Sequence, residues 1–123
     1  MQQIQHEGLS RFPALLYGGD YNPEQWMLED ENGENPIWQE DLRLMHKAGV
    51  NLVNLGIFSW SSLQPAEGIF TFEWLDRILD LLAEQRIFVA LGTGTAAQPA
   101  WLSETYPDVL PVNELGLRRT HGR

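Results

Sequence analysis

The stretch from residue 49 to residue 68, GVNLVNLGIFSWSSLQPAEG, constrains the fold more than any other part of the chain. Its apolar positions form a nearly continuous run with two β-branched members: Leu52, Val53, Leu55 and Ile57. Such a run is typical of a strand covered on both faces, as in a parallel sheet. Gly49 is suited to end a helix before this strand. Residues 58–60, Phe-Ser-Trp, then lie at the carboxyl end of the strand, where α/β sheets and barrels bind ligands.

The rest of the chain repeats this β/α unit. Apolar runs at residues 14–17 and 87–91 predict two further strands, and Gly18 and Gly19 are expected to end the first of them. The fold class is therefore α/β, and the order β-α-β-α-β predicts parallel strands with right-handed crossovers. Both a doubly wound sheet and a (β/α)8 barrel begin in this way. A complete barrel needs about 250 residues, so a barrel would be incomplete here, with roughly three of its eight strands.

Helix signals separate the predicted strands. Asn35 is suited to the N-cap of a long helix, with Pro36 at its first position. Thr71 is the expected N-cap of a second long helix, and Glu73 complements the dipole in its first turn. Residues 99–105 predict a short third helix. The polar residues 1–13 form an N-terminal segment, and residues 14–123 form the α/β domain.

Composition excludes several classes of function. The 123 residues carry a formal net charge of -9, so nucleic acid is not an expected partner. There is no cysteine, which removes disulfides and cysteine metal sites within these residues. The N-terminus lacks the pattern of a signal peptide, and no apolar run is long enough to span a bilayer. These features predict a cytoplasmic protein with no membrane partner.

Common catalytic and metal motifs are weak in this sequence. Residues 92–95, GTGT, follow a predicted strand but match neither GxxxxGK[ST] nor GxGxxG, so a tight turn is the preferred interpretation. His6, His46 and His121 share no ligand spacing with a carboxylate, and no metal site is predicted. No GxSxG element supports a serine triad.

Aromatic residues cluster at the predicted carboxyl ends of the strands: Tyr21, Trp26, Phe58, Trp60 and Trp101. Asp20, Asn22 and Gln98 lie among them in the sequence. Aromatic faces beside amides and carboxylates suit sugar binding, whereas most aromatics in a small domain belong to its core. The spacing leaves Trp60 open between these two roles and favours the core for Trp26 and Trp101.

Four blocks of the sequence resemble glycoside hydrolase family 42, the bacterial β-galactosidases. They are YGGDYNPEQW (17–26), EDLRLMHKAGVNLVNLGIFSWSSLQP (40–65), FEWLDRILDLL (72–82) and LGTGTAAQPAWLSETYPDVLPV (91–112). They occur in the order and spacing of the family. The resemblance implies the first three β/α units of a TIM barrel and a retaining hydrolase of terminal β-D-galactosyl groups.

The same resemblance implies where catalysis occurs. Retaining enzymes use two carboxyl groups about 5–5.5 Å apart, one as acid/base and one as nucleophile. In this family they end the fourth and seventh strands, which would lie beyond residue 123, so no catalytic residue is assigned here. Asn113-Glu114 has the dipeptide of the family's acid/base, but no fourth unit precedes it, and it is rejected. Glu24, Glu67 and Glu73 are expected to be solvated or capping residues.

The resemblance also implies a galactose-binding arginine near the end of the chain. Arg123 is either that arginine or its neighbour, because the register is open by one residue, and an ordinary exposed arginine is the alternative. Trp60 is the second candidate substrate contact. The cysteine zinc ligands of some members would lie past residue 123, so no cofactor is expected here while zinc stays open for a full-length protein. Family members are often homotrimers.

The sequence as a whole predicts the N-terminal part of a β-galactosidase barrel that is inactive by itself. The alternative is a non-catalytic product, either truncated or acting as a sugar-binding or interaction module. A doubly wound nucleotide-binding domain is weakened by the absence of its glycine-rich fingerprint.

Overall fold

A computed structural model describes residues 15–120 and contains a three-stranded parallel sheet. The strands are β1 (Gly18–Tyr21), β2 (Leu52–Leu55) and β3 (Phe88–Leu91), in the order β1-β2-β3. Their register aligns Tyr21 with Leu55 and Leu55 with Leu91, so all three strands end at the same level. The predicted α/β class and parallel pairing are confirmed. This strand order occurs in both doubly wound sheets and barrels.

Helical segments connect the strands and follow them. They are α1 (Pro36–Ala48), α2 (Trp60–Leu63), α3 (Glu73–Glu84) and α4 (Ala100–Thr105), with 3₁₀ segments at Pro23–Glu29 and Pro107–Val109. Helices α1 and α3 are the two long crossovers between strands. Within residues 15–120, no helix is both long and apolar enough to cross a membrane.

Helix α1 has both of the caps that the sequence predicts. The Asn35 side-chain oxygen accepts hydrogen bonds from the backbone N–H groups of Ile37 (3.1 Å) and Trp38 (3.2 Å). Gly49 ends the helix in the left-handed conformation, with φ at 76°. This conformation favours glycine because it carries no Cβ. Local sequence therefore determines both ends of α1.

The core lies between the sheet and the two long helices. Its least exposed large side chains are Trp38, Leu55, Ile78 and Leu82. The Trp38 indole N–H donates to the carbonyl of Pro23 at 2.9 Å, which joins α1 to the first 3₁₀ segment. The Arg77 guanidinium lies over the Trp38 ring, 5.4 Å from its centroid, and links α3 to α1. Along α3, Leu75, Ile78 and Leu82 are buried and Leu79 packs partly against the core.

The first strand lies further along the chain than predicted. The prediction placed it at residues 14–17, with the two glycines as terminators, whereas β1 begins at Gly18 and includes both. The reason is a close backbone approach, because a Cβ on Gly18 would lie 1.6 Å from the carbonyl oxygen of Leu52. Glycine therefore permits the pairing of β1 with β2 instead of ending the strand.

Two further predictions are corrected. Helix α3 has Phe72, not Thr71, at its N-cap, because the Thr71 hydroxyl donates to the backbone carbonyl of Ser62 at 2.7 Å. Strand β2 is not covered on both faces: Val53 and Leu55 are buried against the helices, whereas Leu52 and Asn54 are half-buried on the opposite, inner face. The inner face is therefore accessible in residues 15–120.

Candidate functional site at the carboxyl ends of the strands

The carboxyl ends of the three strands meet at one edge of the sheet. Asn22 follows β1, residues 56–60 follow β2, and residues 92–95 follow β3. The register aligns the last residues of the strands, so the segments that follow them leave the sheet side by side. In parallel α/β folds this edge is where ligands bind.

A polar pair lies on the inner face, one residue before the strand ends. Asp20, Asn54 and Ala90 are aligned across the sheet, and the Asn54 side-chain amide donates to a carboxylate oxygen of Asp20 at 2.8 Å. Ala90, with its small side chain, leaves the third position of this row open. The sequence pattern predicts Asp20 after the first strand, whereas it lies within β1, and Asn54 is not among the predicted site residues. Asn54 is the polar residue between Val53 and Leu55, and alternate residues of a strand face opposite sides of the sheet, so this pattern could have indicated it.

Trp60 lies at the start of α2 and is held from two sides. Its indole N–H donates to the side-chain oxygen of Gln64 at 2.9 Å. Gly94 of the loop after β3 lies against its backbone, since a Cβ there would be 3.0 Å from the Trp60 nitrogen. Trp60 is half-buried, so part of its surface is accessible at this edge.

The other aromatics at this edge have different environments. The Trp101 indole N–H donates to the backbone carbonyl of Gln64 at 2.9 Å, so both tryptophans anchor the same short helix. Phe58 is 49% exposed. The core role predicted for Trp26 is wrong: its side chain is 44% exposed beside the first 3₁₀ segment. The backbone of that segment is non-helical at Trp26 itself, with φ at -116° and ψ at 15°.

Tyr21 ends β1 but lies on the helix side of the sheet, away from Asp20. Its buried hydroxyl donates to the Asp41 carboxylate at 3.0 Å. Burial raises the pKa of the Tyr21 phenol above its usual value near 10, and the negative charges of Asp41 and Glu24 raise it further. The phenol therefore stays protonated and fixes β1 to α1.

Two polar atoms near this edge are buried without a hydrogen-bond partner in the described part of the chain. They are the hydroxyl oxygen of Ser59 and one carboxylate oxygen of Glu24. The burial of this oxygen argues against a fully solvated Glu24, whereas the capping role expected as the alternative stays a prediction. Buried polar groups in folded proteins nearly always have a partner, so groups outside residues 15–120 are expected to supply one.

The remaining candidates lie apart from this edge or outside the described residues. Asn113 and Glu114 lie in a turn near residue 120, where the Asn113 side-chain oxygen accepts the N–H groups of Leu115 and Leu117. Asn113 therefore has a turn-forming role. His46 is exposed at the last turn of α1. Residues 15–120 contain no group of three or more His, Cys, Asp or Glu side chains that could hold a metal. Arg123, His6 and His121 lie outside the described residues.

These features define the start of a parallel β/α domain with a polar and aromatic edge. The sequence profile of glycoside hydrolase family 42, described as beta-galactosidase, matches residues 20–123. The chain belongs to this family.

Named relatives agree with this assignment. The beta-galactosidase BgaB of Geobacillus kaustophilus is 52% identical over 109 residues, which span 89% of this chain and 15% of the relative. The beta-galactosidase LacZ of Heyndrickxia coagulans is 54% identical over 110 residues, spanning 89% and 16%. The chain therefore spans about one sixth of the length of these relatives.

Solved structures give the same result. The beta-galactosidase of Rahnella sp. R3 matches with a TM-score of 0.85 and 42% identity, covering 93% of this chain and 16% of that one. A catalytic mutant of Gan42B, a GH42 beta-galactosidase of G. stearothermophilus, matches with a TM-score of 0.81 and 44% identity, covering 88% and 15%. Identity at this level supports a shared fold.

Proposed function

We propose that this chain forms the first three β/α units of a (β/α)8 barrel in a retaining β-galactosidase. The observation that carries the proposal is the family match over residues 20–123. The inner face supports a barrel as well, since Asp20 and Asn54 place polar groups where a doubly wound sheet would be covered by apolar helix faces. The substrate is a terminal β-D-galactoside, and hydrolysis retains its configuration.

In this proposal the two catalytic glutamates are supplied by residues outside the chain, at the ends of the fourth and seventh strands. A retaining mechanism needs one carboxylate as nucleophile and a second as acid/base about 5–5.5 Å away. The chain contributes the wall of the site formed by the first three strand ends. It is therefore expected to have no turnover by itself.

Trp60 is proposed as a sugar platform within this wall. Its N–H is already used by Gln64, so the ring face is the part that can pack on the C–H surface of a sugar. Arg123 is proposed to donate to galactose hydroxyls. Residues 15–120 contain no group of three or more side chains that could hold zinc. Zinc in a full-length protein would therefore need ligands elsewhere. A homotrimer and a cytoplasmic location remain proposals, tested by light scattering and by fractionation of the source cell.

The direct test is a fusion in which this chain replaces the aligned N-terminal segment of Geobacillus kaustophilus BgaB, 52% identical to it. We expect the fusion to hydrolyse 2-nitrophenyl β-D-galactoside, with β-galactose as the first product seen by NMR. The isolated chain should not hydrolyse it. A folded but inactive fusion would refute the proposal. So would saturable turnover by the isolated chain that Glu114→Gln abolishes.

The Trp60 assignment is tested in the same fusion. Trp60→Leu removes the aromatic face, while Trp60→Phe keeps a smaller aromatic face and loses the hydrogen bond to Gln64. We expect Trp60→Leu to raise KM by about tenfold, equivalent to about 1.4 kcal/mol, and Trp60→Phe to raise it much less. A purely structural role would lower the melting temperature of both variants and leave KM unchanged.

The non-catalytic alternative predicts a different result. A sugar-binding module should bind galactose without the rest of a barrel, so calorimetry of the isolated chain with galactose would detect it. Absence of binding by the chain, together with an active fusion, supports the enzyme.

A further inference from the structure

A pair of threonine hydroxyls lies in the loop that follows β3. The hydroxyl oxygens of Thr93 and Thr95 are 3.0 Å apart, which is hydrogen-bond distance, and both residues are exposed. When one hydroxyl donates to the other, one O–H donor and several acceptor lone pairs are left for a third group. The tight turn predicted for residues 92–95 therefore also presents an uncharged donor and acceptors at the carboxyl edge of the sheet.

This loop is held firmly against the segment that follows β2. The Gly92 N–H donates to the Leu55 carbonyl at 2.7 Å, and a Cβ on Gly92 would lie 3.1 Å from the Cα of Ile57. Gly94, with φ at 75°, lies against the backbone of Trp60. Because threonine is branched at Cβ, its side chain has few rotamers to lose. The hydroxyl pair is therefore positioned beside Trp60 before a ligand binds, which lowers the entropic cost of binding.

The place of the loop in the sheet indicates which part of a β-galactoside it faces. Strand β3 pairs with β2 alone within residues 15–120, so a fourth barrel strand would pair with its other edge. In the proposed function the acid/base ends that fourth strand, and it protonates the oxygen of the leaving group. The loop after β3 is therefore next to the acid/base, on the side of the departing group.

The chemistry of the pair indicates the kind of leaving group it recognises. Sugar hydroxyls both donate and accept, as the two threonine hydroxyls do, and neither partner is charged. An aryl leaving group offers no hydroxyl for this exchange. Covering the pair with an apolar group would leave its donor unpaired, which is costly. The loop is therefore better matched to a sugar than to an apolar leaving group.

We propose that Thr93 and Thr95 hydrogen-bond the departing sugar of a β-galactoside and so favour substrates whose leaving group is itself a sugar. This inference rests on the proposed β-galactosidase function and adds the specificity of that site for its leaving group. The galactosyl group is held by other contacts, among them the proposed platform of Trp60.

Kinetics of the BgaB fusion with two substrates test this role. Lactose releases glucose, whereas 2-nitrophenyl β-D-galactoside releases a nitrophenol. Thr93→Val and Thr95→Val each remove one hydroxyl at nearly constant volume. We expect each to lower kcat/KM for lactose by about fivefold to tenfold, the loss of one hydrogen bond, and to change kcat/KM for the nitrophenyl substrate by less than about twofold.

Two kinds of control accompany these variants. Thr93→Ser and Thr95→Ser keep the hydroxyls, so the ratio of the two kcat/KM values should stay near that of the unsubstituted fusion. Thr105→Val makes the same change at an exposed threonine at the end of α4, and should leave the ratio unchanged. Melting temperatures of all variants show whether the hydroxyls hold the loop.

The outcomes separate this role from a structural one. A loss confined to lactose, at unchanged melting temperature, supports the contact with the departing sugar. Equal losses on both substrates, a lower melting temperature for the valine variants, or an unchanged ratio would overturn it and leave the proposed function standing. So would a fusion that hydrolyses only the nitrophenyl substrate. A folded fusion inactive on both substrates would refute the proposed function and this inference with it.

Discussion

Alanine substitutions of the adjacent glycines Gly18 and Gly19 in β1 are expected to differ in their effect on the melting temperature. Gly18→Ala introduces a methyl group 1.6 Å from the carbonyl oxygen of Leu52, whereas Gly19→Ala introduces one with no atom within 4 Å. Both residues belong to the same strand, so strand propensity is matched. The two substitutions differ only in what the new Cβ meets.

The size of the effect follows from the geometry of the strand pair. The Cβ must move from 1.6 Å to at least 3.0 Å from the Leu52 oxygen, a displacement of 1.4 Å. The adjacent backbone N–H of Asn51 donates to the Tyr17 carbonyl at 2.9 Å, and the Tyr17 N–H donates to the Asn51 side chain at 2.7 Å. Strands that separate by this amount lengthen these hydrogen bonds beyond their usual limit of about 3.2 Å.

Losing two hydrogen bonds of this kind costs about 2–3 kcal/mol. For a domain of this size that lowers the melting temperature by roughly 10 °C. Gly19→Ala should instead change stability by less than about 1 kcal/mol, with slight stabilisation expected because alanine restricts the unfolded chain. The measurement is thermal unfolding by circular dichroism, made on the chain and on the BgaB fusion. Equal melting temperatures for the two variants would refute the close approach of β1 to β2.

Three other predictions concern single side chains. Glu114→Gln in the fusion should keep kcat/KM within about twofold, because Asn113 holds this dipeptide in a turn; a loss of a hundredfold or more would restore Glu114 as a catalytic candidate. Asn35→Ala should lower the free energy of unfolding by about 1–2 kcal/mol through loss of the α1 N-cap, measured in urea. Asn35→Ser, which keeps a capping oxygen and, like Asn35→Ala, loses the amide donation to the Trp26 carbonyl, should lose less, and equal losses would contradict the capping role. The buried Tyr21 phenol, beside Asp41, has a raised pKa in the folded chain, so its contribution is present below the unfolded value near 10 and is lost as pH rises above it. Tyr21→Phe should therefore show a shallower loss of stability above pH 10 than the wild-type chain, and identical slopes in urea titrations would contradict this.

The sequence predicted the helices better than the first strand. Asn35, Pro36 and Gly49 act through the backbone of their own turn, so the bounds of α1 could be predicted locally. The extent of β1 depends on Leu52, which lies more than thirty residues away in the chain. No local pattern reports that contact, and the glycines were therefore interpreted as terminators.

The candidate site shows the same division. Sequence order placed Trp60 at a strand end, and the structure confirms that position. The hydrogen bond between Asn54 and Asp20 depends on the register of two strands, and the exposure of Trp26 depends on which distant segments pack around it. Neither could be obtained from spacing along a single segment.

The sequence alone determined the α/β class, the alternation of strands and helices, the caps of α1 and the resemblance to family 42. These follow from local propensity, hydrophobic period and motif identity, which are properties of contiguous residues. Tertiary structure alone decided where β1 begins and which polar side chains share the inner face. These depend on backbone atoms of distant segments meeting at distances of a few ångströms, where steric exclusion and hydrogen bonding select one register among many.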